Sequence, residues 1–190
     1  GMLAVFAQIA GAGLALNELA EIRRDVLRAM FVNAPVSGHD AASIDDRLDR
    51  EITPSVIVMN PPFSAANHVE GRFRQATSQH VLSALARLAP GGRLVVITGE
   101  SFRHSTKSFQ STFQRIAQSA DVVFSAAIDG KVFARHGTTI DTRLTVIDKR
   151  ATGADEIASV ESEAVYHPIC ATTGELLASV LTHCPVRRSP

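Results

Sequence analysis

Four consecutive residues, Asn60-Pro61-Pro62-Phe63, follow directly on the apolar run Ser55-Val56-Ile57-Val58-Met59. Their types and order suit the activation of a planar amino group. The exocyclic amine of adenine is a poor nucleophile, because its lone pair is delocalised into the ring. Two acceptors draw the N–H groups out of plane and push the nitrogen toward sp3. The side-chain oxygen of Asn60 and the backbone carbonyl of Pro61 are the candidate acceptors. Pro62 has no N–H to compete and stiffens the turn. Phe63 offers a ring face on which a planar group stacks. A base in duplex DNA must first be flipped out of its stack, and group transfer to the aligned nitrogen is then mostly a positioning problem. An apolar strand stopped by two prolines for turn reasons alone is the plainer reading of the same residues.

The surrounding elements decide whether such a site exists. Ser55–Met59 is apolar throughout and is expected to be a parallel strand buried on both faces, ended by prolines that cannot continue a ladder. Upstream, Leu14–Glu18 reads as a short strand ending in an acid, Leu19–Phe31 as an amphipathic helix, and Pro35–Ser37 as a strand running into Gly38-His39-Asp40. Residues 42–52 read as a helical turn. Downstream, Gly71–Ala89 reads as a helix closed by Pro90-Gly91-Gly92, Leu94–Thr98 as a buried strand and Lys107–Ala120 as a helix. Val122–Ile128 and Thr142–Asp148 read as strands. This alternation implies an α/β fold with a doubly wound, mostly parallel sheet, and the last strand pair, which has no helix between its members, implies an antiparallel strand near one edge. Residues 1–150 form the expected domain. Residues 151–190 read as linker and extension, with one weak helix over Thr173–Thr182. Ligands of open α/β sheets lie beyond the carboxyl ends of the strands, where Glu18, Asp40 and Asn60 all fall.

Composition bounds the partners. The chain has 190 residues, 19 basic and 19 acidic, and a net charge of +0. This argues against a strongly basic nucleic-acid binder but leaves room for a local basic patch. Sixteen of the basic residues are Arg and three are Lys; Arg suits bidentate phosphate contact, and coding bias explains the ratio equally. Cys170 and Cys184 have no metal-ligand spacing, so neither a zinc site nor a disulfide framework is expected. No apolar run reaches membrane-spanning length, and no signal peptide is evident. A reduced, cytoplasmic setting without membrane attachment is the expectation.

The segment Val56–Phe63 resembles motif IV of S-adenosylmethionine-dependent amino-methyltransferases, the group that includes N6-adenine DNA methyltransferases and the glutamine methyltransferases of release factors. The resemblance implies a Rossmann-like class I methyltransferase fold and S-adenosyl-L-methionine as cofactor. It puts Asn60, Pro61, Pro62 and Phe63 in the catalytic role. It sets Glu18 against the cofactor's ribose hydroxyls and Asp40, with Ala41 beside it, against the adenine amino group; Asn60 touches both cofactor and target. Four stretches carry a closer resemblance over nearly the whole chain: Leu14–Leu19, Met59–Ala65, Leu88–Leu94 and Thr139–Leu144. They are similar to the methylase part of bacterial strawberry-notch-like methylase–helicase proteins, in which a helicase region follows. DNA is the implied partner. Phe63 leans toward nucleic acid, since the protein-glutamine enzymes usually carry Tyr there. Methylation of a glutamine amide or an RNA base, and a non-catalytic module that binds DNA or a partner protein, are the alternatives.

The chain departs from the family pattern at its start. The family's first strand and glycine-rich loop precede the first helix, whereas here helical spacing begins at residue 2, and Gly1 is at most the last glycine of that loop. Gly11-Ala12-Gly13 follows a helix and precedes a strand, the reverse of the strand–loop–helix context a cofactor loop needs. The isolated chain is therefore expected to bind cofactor weakly or not at all. Its sheet is expected to be rearranged, or covered by a homodimer at the gap. In-frame sequence ahead of residue 1 would decide between enzyme and binding module. Ser64–Arg74, with Arg72 and Arg74, reads as a lip over the target pocket. Gly130–Asp141 reads as a target-binding loop or an ordinary hairpin, and His80 as a packed or surface residue rather than a base.

Overall fold

A computed structural model of the chain describes residues 2–62, 70–136, 139–152 and 163–187. In chain order the elements are α1 (Met2–Ile9), β1 (Leu16–Asn17), α2 (Glu21–Met30), β2 (Val36–Ser37), α3 (Ile44–Arg47), β3 (Val56–Met59), α4 (Glu70–Arg87), β4 (Arg93–Gly99), α5 (Gln110–Ala117), β5 (Ala120–Ile128), β6 (Thr142–Lys149), β7 (Tyr166–Cys170) and α6 (Thr173–His183). Short 3-10 turns precede α3, α5 and β7, and a longer one covers Gly130–His136.

The strands form two sheets. β1 and β2 pair in parallel by themselves, and the other five run in the order β3-β4-β6-β5-β7. β3 is parallel to β4 and β7 to β5, whereas β6 is antiparallel to both its neighbours. The larger sheet is thus mostly parallel, as its sequence pattern implies. Its antiparallel strand is the third of five, one place further in than expected, because Tyr166–Cys170 adds an outer strand. That strand lies in the stretch read from sequence as linker and extension. Pro168 disguises it: a proline cannot donate to a ladder, but on an edge strand it has no donation to make. The β5–β7 register shifts between Ala126 and Ile128, opposite this proline.

Two apolar layers flank the larger sheet. On one face α4 and α5 bring Val81, Leu85, Leu88, Phe113 and Ile116 against Leu94, Val96, Val122 and Ile147. On the other, Leu176 and Val180 of α6 pack with Val95, Phe124 and Val146. α6 starts with a reciprocal cap: Thr172 Oγ1 accepts the Glu175 N–H and Glu175 Oε2 accepts the Ala171 N–H, satisfying donors that a helix start leaves open. Arg93 and Asp148 face each other across β4 and β6 and make two bonds of 2.7 Å, which pin that register.

β3 corrects one expectation. Its Ile57 and Met59 join the α4–α5 core. Val56 and Val58 point to the opposite face and are 46% and 48% exposed. α6 covers β4, β6 and β5 on that face, and among the described residues nothing covers β3. The strand is apolar on both faces but buried on one. α1 ends in a Schellman motif, in which the Gly11 N–H bonds Gln8 O and the Ala12 N–H bonds Ala7 O. Gly11 sits at φ 81°, so its glycine character serves helix termination.

Candidate functional site

The site is built where the residues after β2 and β3 meet α4, with the end of β1 paired beside β2. Glu18 follows β1. Its main-chain N–H bonds Ser37 O at 3.1 Å, and its Oε1 accepts the Ala20 N–H at 2.8 Å and Arg23 Nη2 at 2.9 Å. The Arg23 hydrogen bond is the main reason its carboxyl lies below the usual range; partial burial opposes this, and the Ala20 bond assists. Only Oε1 is engaged among the described residues, which leaves Oε2 as an acceptor at the amino end of α2, where the helix dipole also favours a negative charge.

Asp40 follows β2. Its Oδ1 accepts the Ala42 N–H at 2.9 Å and caps the turn over Ala41–Ser43. Glu18 and Asp40 are held side by side by Asn17, a residue that sequence reasoning passed over. Asn17 Oδ1 accepts the His39 N–H at 3.0 Å and the Ser37 hydroxyl at 2.8 Å, and its Nδ2 donates to His39 O at 2.9 Å. The side chain thus extends a two-residue ladder by the equivalent of one more pair. Gly38, between these contacts, lets the Arg24 guanidinium lie against the backbone, and a Cβ there would push that side chain aside. That guanidinium in turn donates to Leu19 O at 3.1 Å.

Asn60 is exposed at the end of β3, and its side chain has no hydrogen-bond partner among the described residues. Pro61 is buried. The Pro62 carbonyl accepts a bond of 3.2 Å from Thr77 Oγ1, a buried hydroxyl on α4. This bond fixes the turn through Pro62 and leaves the Pro61 carbonyl for other use. Phe63 and the lip residues 64–69 lie outside the described residues, as do the side chains of Arg72 and Arg74.

α4 ties these parts together. Thr77 holds Pro62, His80 Nε2 lies 3.6 Å from Asp40 Oδ1, and Ser83 Oγ accepts the Asp45 N–H at 3.0 Å, which docks α3. These three polar residues recur at i, i+3 and i+6, so they share one helix face. The sequence does not single them out, because α4 also carries Gln75, Ser78 and Gln79. His80 is 13% exposed against 62% for Asp40. Burial holds its pKa below the ordinary value, and the Asp40 charge opposes that shift. From sequence, His80 reads as a packed or surface residue; it is mostly buried, beside an acidic neighbour that the sequence reading does not include.

A groove of about 400 Å³ lies between the small sheet and the segment leading into β3, lined among others by Leu16, Val36, Ser37, His39, Arg47 and Ile52. Glu18, Asp40 and Asn60 are not among its lining residues. Gly130–Asp141 is more than a plain hairpin. It contains a 3-10 turn over Gly130–His136, and Asp141 Oδ1 accepts the Gly130 N–H at 2.8 Å. Among the described residues no group of three or more His, Cys, Asp or Glu could hold a metal ion, and both cysteines are free. None of the described helices is long and apolar enough to cross a membrane.

No protein-family model and no curated protein matches the chain. Solved structures do. A protein of Listeria monocytogenes described as a candidate class I S-adenosylmethionine-dependent methyltransferase superposes with a TM-score of 0.68 at 10% identity, covering 97% of this chain and 61% of its own. The methyltransferase subunit of a type I restriction-modification system from Streptococcus thermophilus gives 0.59 at 12% identity, covering 90% and 42%. The M protein of the type I restriction enzyme EcoKI gives 0.58 at 13% identity, covering 76% and 32%. The fold is therefore that of Rossmann-like class I methyltransferases, and the chain spans between about one third and three fifths of these neighbours.

Proposed function

We propose that the chain is the core of a methyltransferase that moves a methyl group from S-adenosylmethionine to a planar amino group, with N6 of adenine in DNA as the target. One observation carries this reading: α4 places the turn after Asn60 and the acid Asp40 on one helix face, three residues apart, through Thr77 and His80. Acceptors for a target amine and acceptors for an adenosine thereby share one wall. The fold of the neighbours supports the same chemistry.

The acceptors present suit the adenosine half of the cofactor. Glu18 Oε2 would take the ribose hydroxyls, Asp40 the adenine amino group, and Ala41 would line the adenine beside it. The bound cofactor supplies an electrophilic methyl on a sulfonium. The chain's own residues orient the acceptor nitrogen: Asn60 Oδ1 and Pro61 O accept its two N–H groups and turn its lone pair out of the ring plane. Pro62, held by Thr77, keeps those two oxygens at fixed separation, and Phe63 stacks on the ring. No early base is needed, because the amine proton leaves after the methyl has arrived.

The test is incorporation of labelled methyl into an adenine-containing DNA oligonucleotide, an RNA oligonucleotide and a glutamine peptide, by the chain extended with the in-frame sequence ahead of residue 1 and by its Asn60→Ala variant; the isolated chain is expected to label weakly or not at all. The expectation is labelling of DNA, lowered about 10²-fold by the substitution, the usual cost of removing one oriented transition-state contact. Equal labelling by both proteins removes Asn60 from the mechanism. Labelling of only RNA or the peptide moves the target. The division of the sheet between β1 and β3 favours a second reading, a module that binds nucleic acid without transferring a methyl group. DNA binding with no labelling of any substrate would establish it. The parent protein on either reading is a methylase–helicase of the strawberry-notch-like kind.

A further inference from the structure

A second pocket, of about 470 Å³, opens at the carboxyl edge of the larger sheet, away from Glu18 and Asp40. Its walls come from the residues after β4 (Glu100, Arg103), the end of β5 (Ala127), the start of β6 (Asp141, Arg143) and β7 (Tyr166 to Ile169). At its base Arg143 is 2% exposed and fully used: Nε bonds Glu100 O at 2.9 Å, Nη1 bonds Ser125 Oγ at 3.1 Å and Nη2 bonds Glu100 Oε1 at 3.1 Å. Arg103 lies over the Tyr166 ring at 5.4 Å, with Arg143 5.9 Å from the same centroid. Two guanidinium groups thus lie against one ring, and only one of them has a carboxylate. The buried Nε of Arg103 has no acceptor, and no carboxylate pairs with Arg103 among the described residues. A buried donor without an acceptor is unfavourable, and it marks a guanidinium that no protein acceptor holds among the described residues.

We propose that this pocket takes a phosphate group of a nucleic-acid strand, with Arg103 as the cation that meets it. The inference rests on the nucleic-acid reading above. Two carboxylates also line the pocket, and both are engaged: Glu100 by Arg143 and Asp141 by the Gly130 N–H. The local charges sum to zero, two guanidiniums against two carboxylates. A phosphodiester with one charge and contacts elsewhere on the strand suits that balance better than a doubly charged free phosphate. The pocket shares its sheet edge with Asn60, since Met59 pairs with Val96 and β4 runs three residues further before Glu100. A strand whose target base reaches Asn60 has its backbone within reach of Arg103.

The test measures binding of a fluorescent single-stranded oligonucleotide to the full chain over a salt series, for wild type, Arg103→Gln and Arg103→Lys. Inorganic phosphate serves as the competing probe. Arg103→Gln is expected to weaken binding about 5–10-fold and to flatten the salt slope by about 0.7, the share of one phosphate contact. Arg103→Lys restores the slope and part of the affinity. Millimolar phosphate displaces little. Unchanged affinity and slope in Arg103→Gln, with unaltered thermal unfolding, overturn the inference alone. Phosphate that binds through Arg103 while oligonucleotide binding ignores the substitution also overturns it. Absence of oligonucleotide binding by the wild-type chain removes both this inference and the nucleic-acid reading.

Discussion

Replacing Asn17 with Ala removes the clamp that sets Glu18 beside Asp40. Three hydrogen bonds go: those to the His39 N–H, His39 O and the Ser37 hydroxyl, at 3.0, 2.9 and 2.8 Å. A protein hydrogen bond contributes a net 0.5–1.5 kcal/mol, roughly. All three are solvent-exposed, so the lower part of that range applies and the sum is about 1.5–2 kcal/mol. With a urea dependence of about 2 kcal/mol/M for a chain of this size, the unfolding midpoint falls by about 0.7–1 M. Asn17→Asp separates donor from acceptor. It keeps the oxygen that receives the His39 N–H and the Ser37 hydroxyl, but sets a second carboxylate oxygen against His39 O. Its midpoint is expected between those of wild type and Asn17→Ala. Urea titrations followed by circular dichroism supply all three numbers. Midpoints for both variants that coincide with wild type would refute the clamp, and with it the account of how the two acids are held together.

Glu100→Ala leaves the Arg143 guanidinium buried without its carboxylate. Breaking a fully buried pair costs about 3–5 kcal/mol, but Glu100 is 43% exposed and Arg143 keeps two other acceptors. A loss of about 1–2 kcal/mol is expected by thermal unfolding, less in Glu100→Gln, and no change in either would contradict the role given to the pair. pH acts through His80. Its folded pKa is lowered by burial, so the unfolded chain binds the proton first as pH falls. This contribution to stability is complete above the ordinary value of 6.5 and declines below it. His167 is shifted the same way, by burial and by His183. His80→Gln is expected to reduce the fall in urea midpoint between about pH 7.5 and pH 5; an unaltered slope would show that His80 is not held neutral.

Much of the frame was legible because period and punctuation agree. β4 and β5 are apolar runs of the right length, and Pro90-Gly91-Gly92 ends α4 as its types require. The Pro-Pro pair marks the end of β3 without ambiguity. What was hidden depended on partners far along the chain. The single-faced burial of β3 is set by where α6 lies, more than a hundred residues later. β7 was masked by Pro168, whose cost depends on whether the strand is an edge. The site followed the same division. Glu18, Asp40 and Asn60 were identifiable as residues at strand ends. Asn17, Thr77 and His80, which position them, are ordinary polar residues until the fold sets them against backbone or acid. Arg103 and Arg143 were two among sixteen arginines until β7 brought Tyr166 against both.

The placing of β6 in the larger sheet bears on the order of assembly. β4 and β5 are made first, yet they never touch as ladder partners, because β6 separates them. From the amino end the chain can add β4 to β3, but β5 then has no place until residues 142–149 have been made. The centre of the sheet is therefore closed from the carboxyl side of the sequence. Residues 142–149 act as a keystone: a chain cut before them has the β3–β4 pair and a lone β5, with no strand to join them.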